Sequence, residues 1–113
     1  MGKIVWNYKR NNRVKYPMVR IYKSQIKLNA MAYEKLGKPD RVDIGVDVDD
    51  KIVYIKPNNK MGMYSCITQG VHSLSCMISC KAAIDLSGAE HRKSYRVEFN
   101  DEGMLLFNIL QSK

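Results

Sequence analysis

One order of elements runs through this chain twice, and it constrains the fold more than any other feature of the sequence. Residues 26–28 (Ile-Lys-Leu) alternate apolar and polar side chains, as a half-buried strand does. Asn29 follows as a helix N-cap, residues 30–36 (AMAYEKL) as a short helix, and Gly37 and Pro39 as its stop. Residues 41–48 (RVDIGVDV) then alternate with period two, placing Val42, Ile44, Val46 and Val48 on one face and Asp43, Gly45 and Asp47 on the other. Asp49-Asp50 reads as a turn and residues 51–56 (KIVYIK) as the return strand of a hairpin.

The second pass runs from the strand stretches 63–67 and 73–78, through Ser79 as N-cap, to a short helix over 80–86 that ends at Ser87-Gly88. A strand over 95–99, a turn over 100–103 and an apolar strand over 104–110 complete it. Leu28, Asn29, Ala32 and Leu36 align with Ile78, Ser79, Ala82 and Leu86 at an offset of 50, and Val42 aligns with Tyr95 after a small insertion. Hairpins this short cannot bury their apolar faces alone. The expected fold is therefore mainly β, a small barrel with two short helices and a pseudo-two-fold axis from the internal repeat. Residues 57–62 (PNNKMG) read as the linker between the halves.

At 113 residues the chain fits one domain. The expected division is a basic hairpin over 1–23, a first repeat over 24–57 and a weaker second repeat over 63–110. In the hairpin, residues 3–8 and 14–22 are the strands and residues 9–13 (KRNNR) the tip, and Pro17 argues for an edge or a bulge in the second strand. No apolar run approaches the 18 residues of a membrane span, and residues 1–12 lack the apolar region of a signal peptide, so the expected setting is cytoplasmic with no membrane.

The formal net charge is +8. Residues 1–35 carry nine Lys and Arg against Glu34 alone, and the remaining 78 residues balance ten basic with ten acidic side chains. A segregated basic segment points to a polyanion partner, the plain alternative being a solvated surface that keeps the chain soluble. The candidate nucleic-acid-binding residues are Lys9, Arg10, Asn11, Asn12 and Arg13 at the hairpin tip, with Lys15, Arg20, Lys23 and Lys27 beyond it. Lys and Arg neutralise phosphates, Arg adds bidentate contacts, and Asn11 and Asn12 offer donors and acceptors to base edges. Trp6, Tyr8 and Tyr16 can stack on exposed bases. Packing inside the barrel is the simpler account of Trp6 and Tyr8.

Residues 26–44 (IKLNAMAYEKLGKPDRVDI) resemble the core of AbrB/MazE-like (SpoVT-AbrB type) swapped-hairpin domains, and residues 47–57 (DVDDKIVYIKP) are similar to the hairpin that closes such a unit. The resemblance implies a double-winged small barrel, formed in the family by two chains and here by two repeats. It also implies a DNA-binding transcription regulator or antitoxin. The chain departs from the family pattern at Ser24-Gln25, where Gly-Arg is common, at Asn29, where Pro is usual, and at Tyr33, often Arg in the family.

Other chemistry finds little in the sequence. His72, Cys76 and Cys80 are spaced by four, but a zinc site prefers closer cysteines and needs a fourth ligand. The three cysteines read as reduced, buried, small hydrophobes. Asp43, Asp47, Asp49 and Asp50 lack the glycine and terminal Glu of a calcium loop. No nucleophile motif surrounds His72 or His91 and no glycine-rich phosphate loop is present. The expectation is no catalytic residues, no metal and no cofactor. DNA is the first expected partner and RNA the second, bound by a monomer with internal pseudo-symmetry or by a homodimer. The rival expectation is a protein-binding module, antitoxin-like or a phage-encoded inhibitor such as an anti-CRISPR, aimed at an acidic protein surface or a nucleoprotein complex. A blander one is an assembly protein whose edge strand pairs with a partner.

Overall fold

The computed structural model describes residues 16–68 and 75–110. The expected strands at 3–8 and the hairpin tip at 9–13 lie outside these residues, as does His72. Among the described residues the first half holds β1 (Met18–Ile21), β2 (Gln25–Leu28), α1 (Ala30–Leu36), β3 (Arg41–Asp47) and β4 (Ile52–Pro57). The second half holds β5 (Tyr64–Ile67), β6 (Cys76–Ser79), α2 (Lys81–Ser87), β7 (Ser94–Arg96), β8 (Glu98–Phe99) and β9 (Leu105–Asn108).

The strands form one antiparallel sheet in the order β7-β1-β2-β6-β5-β3-β4-β9-β8. Its two outermost strands are consecutive in the chain and only Val97 separates them. The expected single strand over 95–99 is thus one extended segment that changes partner at Val97, pairing with β1 before it and β9 after it. The Val97 N–H carries the β1 ladder one step further, donating to the Pro17 carbonyl at 3.2 Å. This switch nearly closes the sheet into a barrel, the expected mainly-β architecture with two short helices.

The register of β2 against β6 is symmetric about one pair, at the expected offset of 50. Lys27 stands opposite Met77, flanked by Ile26 opposite Ile78 and Leu28 opposite Cys76. The four flanking residues are almost fully buried, while Lys27 is exposed and Met77 half-buried on the outer face. Each half lends a strand to the other: β3 pairs with β5, and β7 pairs with β1. Val42 and Tyr95, each in the strand after a helix, are both fully buried.

The repeat slips by one residue at its second helix. Helix α1 buries Ala32, Tyr33 and Leu36, and α2 buries Ala83, Ile84 and Ser87, an offset of 51 in place of 50. Ala82 and Leu86, the expected counterparts, face solvent. The cause is local. Ser79 stays in β6, where its hydroxyl accepts from Gln25 Nε2 at 3.3 Å, and the Cys80 N–H extends the ladder to the Ser24 carbonyl at 2.9 Å. Cys80, not Ser79, therefore sits at the N-cap, without a side-chain capping bond.

One further expectation changes. Strand β1 has β2 on one side and β7 on the other, so residues 18–21 are interior to the sheet and not at an edge. Residues 57–62, which join the two halves, form a tight loop. Asn58 Nδ2 donates to Asp43 Oδ2 at 2.8 Å, Asn58 Oδ1 accepts from the Met61 N–H at 3.1 Å, and the Gly62 N–H donates to the Asn58 carbonyl at 2.8 Å. Among the described residues, no helix is long and apolar enough to cross a membrane.

Candidate nucleic-acid interface

Strand alternation decides what the β7–β1–β2 face shows to solvent. Val19, Ile21, Ile26, Leu28 and Tyr95 point into the core, so Arg20, Lys27, Ser94 and Arg96 point out. The register aligns Ser94, Arg20 and Lys27 in one row across three strands, and sets Arg96 beside Met18 in the next. Arg20 Nη1 donates to Ser94 Oγ at 3.4 Å, a long bond on an exposed surface, and its guanidinium lies 5.8 Å from the Tyr22 ring centroid.

The turn after α2 adds more cations. Arg92 adopts φ 65, and its N–H donates to the Ile21 carbonyl, while the Ile21 N–H donates to the Lys93 carbonyl at 2.9 Å. These bonds carry the β1 pairing on past β7 and fix Arg92 and Lys93 beside Arg20. The Glu90 N–H donates to the hydroxyl of buried Tyr95 at 3.2 Å, tying the turn to the core. Lys93 Nζ is 3.2 Å from a Glu90 carboxylate oxygen and 5.0 Å from the Tyr95 ring centroid. The Glu90 side chain is 70% exposed, so this pair is weak and leaves the surface net positive.

The Arg96 guanidinium stacks over the ring of Tyr16 at 4.1 Å. Tyr16 is 41% exposed and held from behind by Asn29, whose Nδ2 donates to the Tyr16 carbonyl at 3.0 Å. Asn29 Oδ1 accepts from the Met18 N–H at 3.2 Å and from the Ala32 N–H at 2.9 Å, so one side chain caps α1 and pins the start of β1. A hollow of about 390 Å³ opens between Tyr16, Met18, Arg20, Arg92 and Arg96. A smaller one of about 120 Å³ shares Arg20 and reaches Lys27, and one of about 440 Å³ shares Arg92 and reaches Lys23 and His91. The cations thus run without a break along the outer face.

Of the residues singled out from sequence, Arg20, Lys23 and Lys27 meet on this face. Lys9, Arg10, Asn11, Asn12, Arg13 and Lys15 lie outside the described residues. Arg92, Lys93 and Arg96 escaped notice because the second half balances its charge. The signal was the run His91-Arg92-Lys93 followed by Arg96 one step past the core residue Tyr95. Of the acids that balance them, Asp101 and Glu102 lie in the β8–β9 turn and Asp85 on α2, while Glu90 pairs with Lys93 and Glu98 shares a hollow with Arg96.

The β2–β6 register sets Lys27 opposite Met77, and the registers of β1–β2 and β5–β6 put Arg20 and Ile67 at matching positions on either side of that pair. At these two positions a cation on one half is matched by an apolar side chain on the other, and Ile67 is 53% and the neighbouring Met63 73% exposed.

The remaining candidates have structural partners. Asp43 accepts from Asn58 and, at 3.0 Å, from the Met63 N–H; Asp47 accepts from the Asp50 N–H at 3.0 Å. Cys66, Cys76 and Cys80 are free thiols. Among the described residues no three His, Cys, Asp or Glu converge on a point that could hold a metal.

No protein-family model, no curated protein and no solved structure matches this chain.

Proposed function

We propose that the protein binds nucleic acid through the outer face of β7, β1 and β2. The observation that carries this reading is the row of Arg20 and Lys27 continued by Arg92, Lys93 and Arg96, cations drawn from both halves of the sequence onto one surface. Arg and Lys on such a face gain affinity by neutralising phosphates and releasing counterions. If four of these cations each engage a phosphate, log K falls against log salt with a slope of about −3 for single strands and about −4 for duplex. The crossed pairing of the two halves supports a relation to swapped-hairpin domains as part of the same proposal.

The test is fluorescence-anisotropy titration of the full chain with labelled DNA and RNA at 50 and 200 mM salt. Binding that weakens steeply with salt is expected, and Arg20→Ala with Arg92→Ala should reduce the slope by about 1.4 for single strands and about 1.8 for duplex. No binding at the lower salt would sink the reading. The exposed apolar side chains of Ile67 and Met63 favour one second reading, a protein-binding module. That reading expects Ile67→Lys to abolish partner capture while nucleic acid fails to bind.

A further inference from the structure

We infer that this face selects single-stranded nucleic acid over duplex; the inference rests on the nucleic-acid reading above and names its substrate class. The stacked pair Tyr16–Arg96 is the central observation. An exposed tyrosine ring with a guanidinium over it at 4.1 Å offers a layered π surface on which a base continues the stack. A base inside a duplex is already stacked on both sides and cannot reach it.

The backbone around the ring is fixed in advance. Asn29 bonds to the Tyr16 carbonyl and the Met18 N–H, and the Pro17 carbonyl is held by the Val97 N–H. Presenting a ring from a pinned backbone lowers the entropy lost on binding. The hollow beside it, about 390 Å³, is walled by this ring and the Met18 side chain as well as by cations. A surface built only to hold a phosphate backbone has no use for the apolar wall.

A second aromatic stands at the far end of the same strand. Tyr22 carries Arg20 at 5.8 Å and borders the hollow that holds Lys23 and Arg92. Six residues of extended chain separate Tyr16 from Tyr22, roughly 20 Å at strand rise. Cations line the interval, so a strand laid along β1 meets a stacking surface at each end and phosphate contacts between. Among the described residues, the cations of this face project from strands and turns and none from a helix that could enter a major groove.

The experiment compares a labelled single-stranded 20-mer of random sequence, the same strand in duplex, and an abasic strand of equal length, all with the full chain at one salt concentration. Binding to the single strand is expected to be at least tenfold tighter than to the duplex, and about tenfold tighter than to the abasic strand. Tyr16→Ala should lower single-strand affinity about tenfold without changing the salt slope, and Tyr16→Phe should restore it. Duplex binding as tight as single-strand binding would overturn the inference and leave the nucleic-acid reading standing. Equal binding of the abasic strand would also overturn it, with no dependence on how any variant folds. Failure of all three to bind would remove both.

Discussion

Arg20 and Lys27 are direct cross-strand partners on β1 and β2, both exposed on the outer face of the sheet. Like charges in that relation repel, at a cost of a few tenths to about 1 kcal/mol. A face selected for stability alone would place opposite charges or β-branched residues there. Lys27→Thr is therefore expected to raise stability by about 0.5 kcal/mol, because it removes the repulsion and adds β-propensity. The same change should weaken nucleic-acid binding and reduce the salt slope by just under one. Urea denaturation beside an anisotropy titration reads both effects. A variant less stable than the parent would show that the pair carries no strain.

Gly62 is required by space. A Cβ at this position would lie 2.6 Å from the Asn58 carbonyl oxygen and 2.8 Å from the Val42 nitrogen, both backbone atoms that cannot swing aside. The loop would have to open, breaking the 2.7 Å bond from Arg41 Nε to the Gly62 carbonyl. Gly62→Ala should cost about 2 to 3 kcal/mol, the upper part of the usual range for overpacking. Loss of less than 0.5 kcal/mol in a denaturant titration would mean that the loop yields without cost.

Those two sites differ in how far the sequence revealed them. Helix α1 was legible to the residue, because Asn29 and Gly37 punctuate it locally, and the β3–β4 hairpin was legible from its period-two alternation. The role of residues 57–62 was not, because Pro, Asn and Gly look alike in a linker and in a tight loop. What separates the two is the tertiary bond from Asn58 to Asp43. Ser79 looked like an N-cap for a similar reason: only its cross-strand partner Gln25 keeps it in the ladder. At the site, Arg20 and Lys27 were visible as part of a basic segment. Arg92, Lys93 and Arg96 join them through the pairing of β1 with β7, a contact between residues more than 70 apart that no local pattern encodes.

The same loop predicts a pH dependence. Hydrogen bonds from Asn58 and from the Met63 N–H, with Lys56 nearby, hold the Asp43 carboxyl below its usual value of 3.8. A carboxylate with a lowered folded pKa adds stability that is present above the unfolded value and lost as pH falls through the folded one. Asp43 therefore contributes at neutral pH, and its contribution drains away below about pH 4. Asp43→Asn should lower the urea midpoint at pH 7 and make it less sensitive to acid between pH 4 and pH 2.5. Parallel pH profiles for the variant and the parent would assign the acid response to other carboxylates.

Reactivity should rank the three thiols by their surroundings. Cys80 is buried at the N-cap of α2, and burial pushes its pKa up to about 12. At pH 8 only about one such thiol in ten thousand is ionised, and the thiolate is the species that reacts. Cys76 is buried and pushed up further by its hydrogen bond to Cys66 and by burial. That same bond stabilises a negative charge on Cys66 and draws its pKa down, and Cys66 is the half-buried member of the three. Iodoacetamide at pH 8, with peptide mapping by mass spectrometry, should label Cys66 at least tenfold faster than Cys76 or Cys80 in the folded chain. In urea the three rates should converge, since unfolding removes both the burial and the bond. Rapid labelling of Cys80 without urea would show that the second helix opens readily from the barrel.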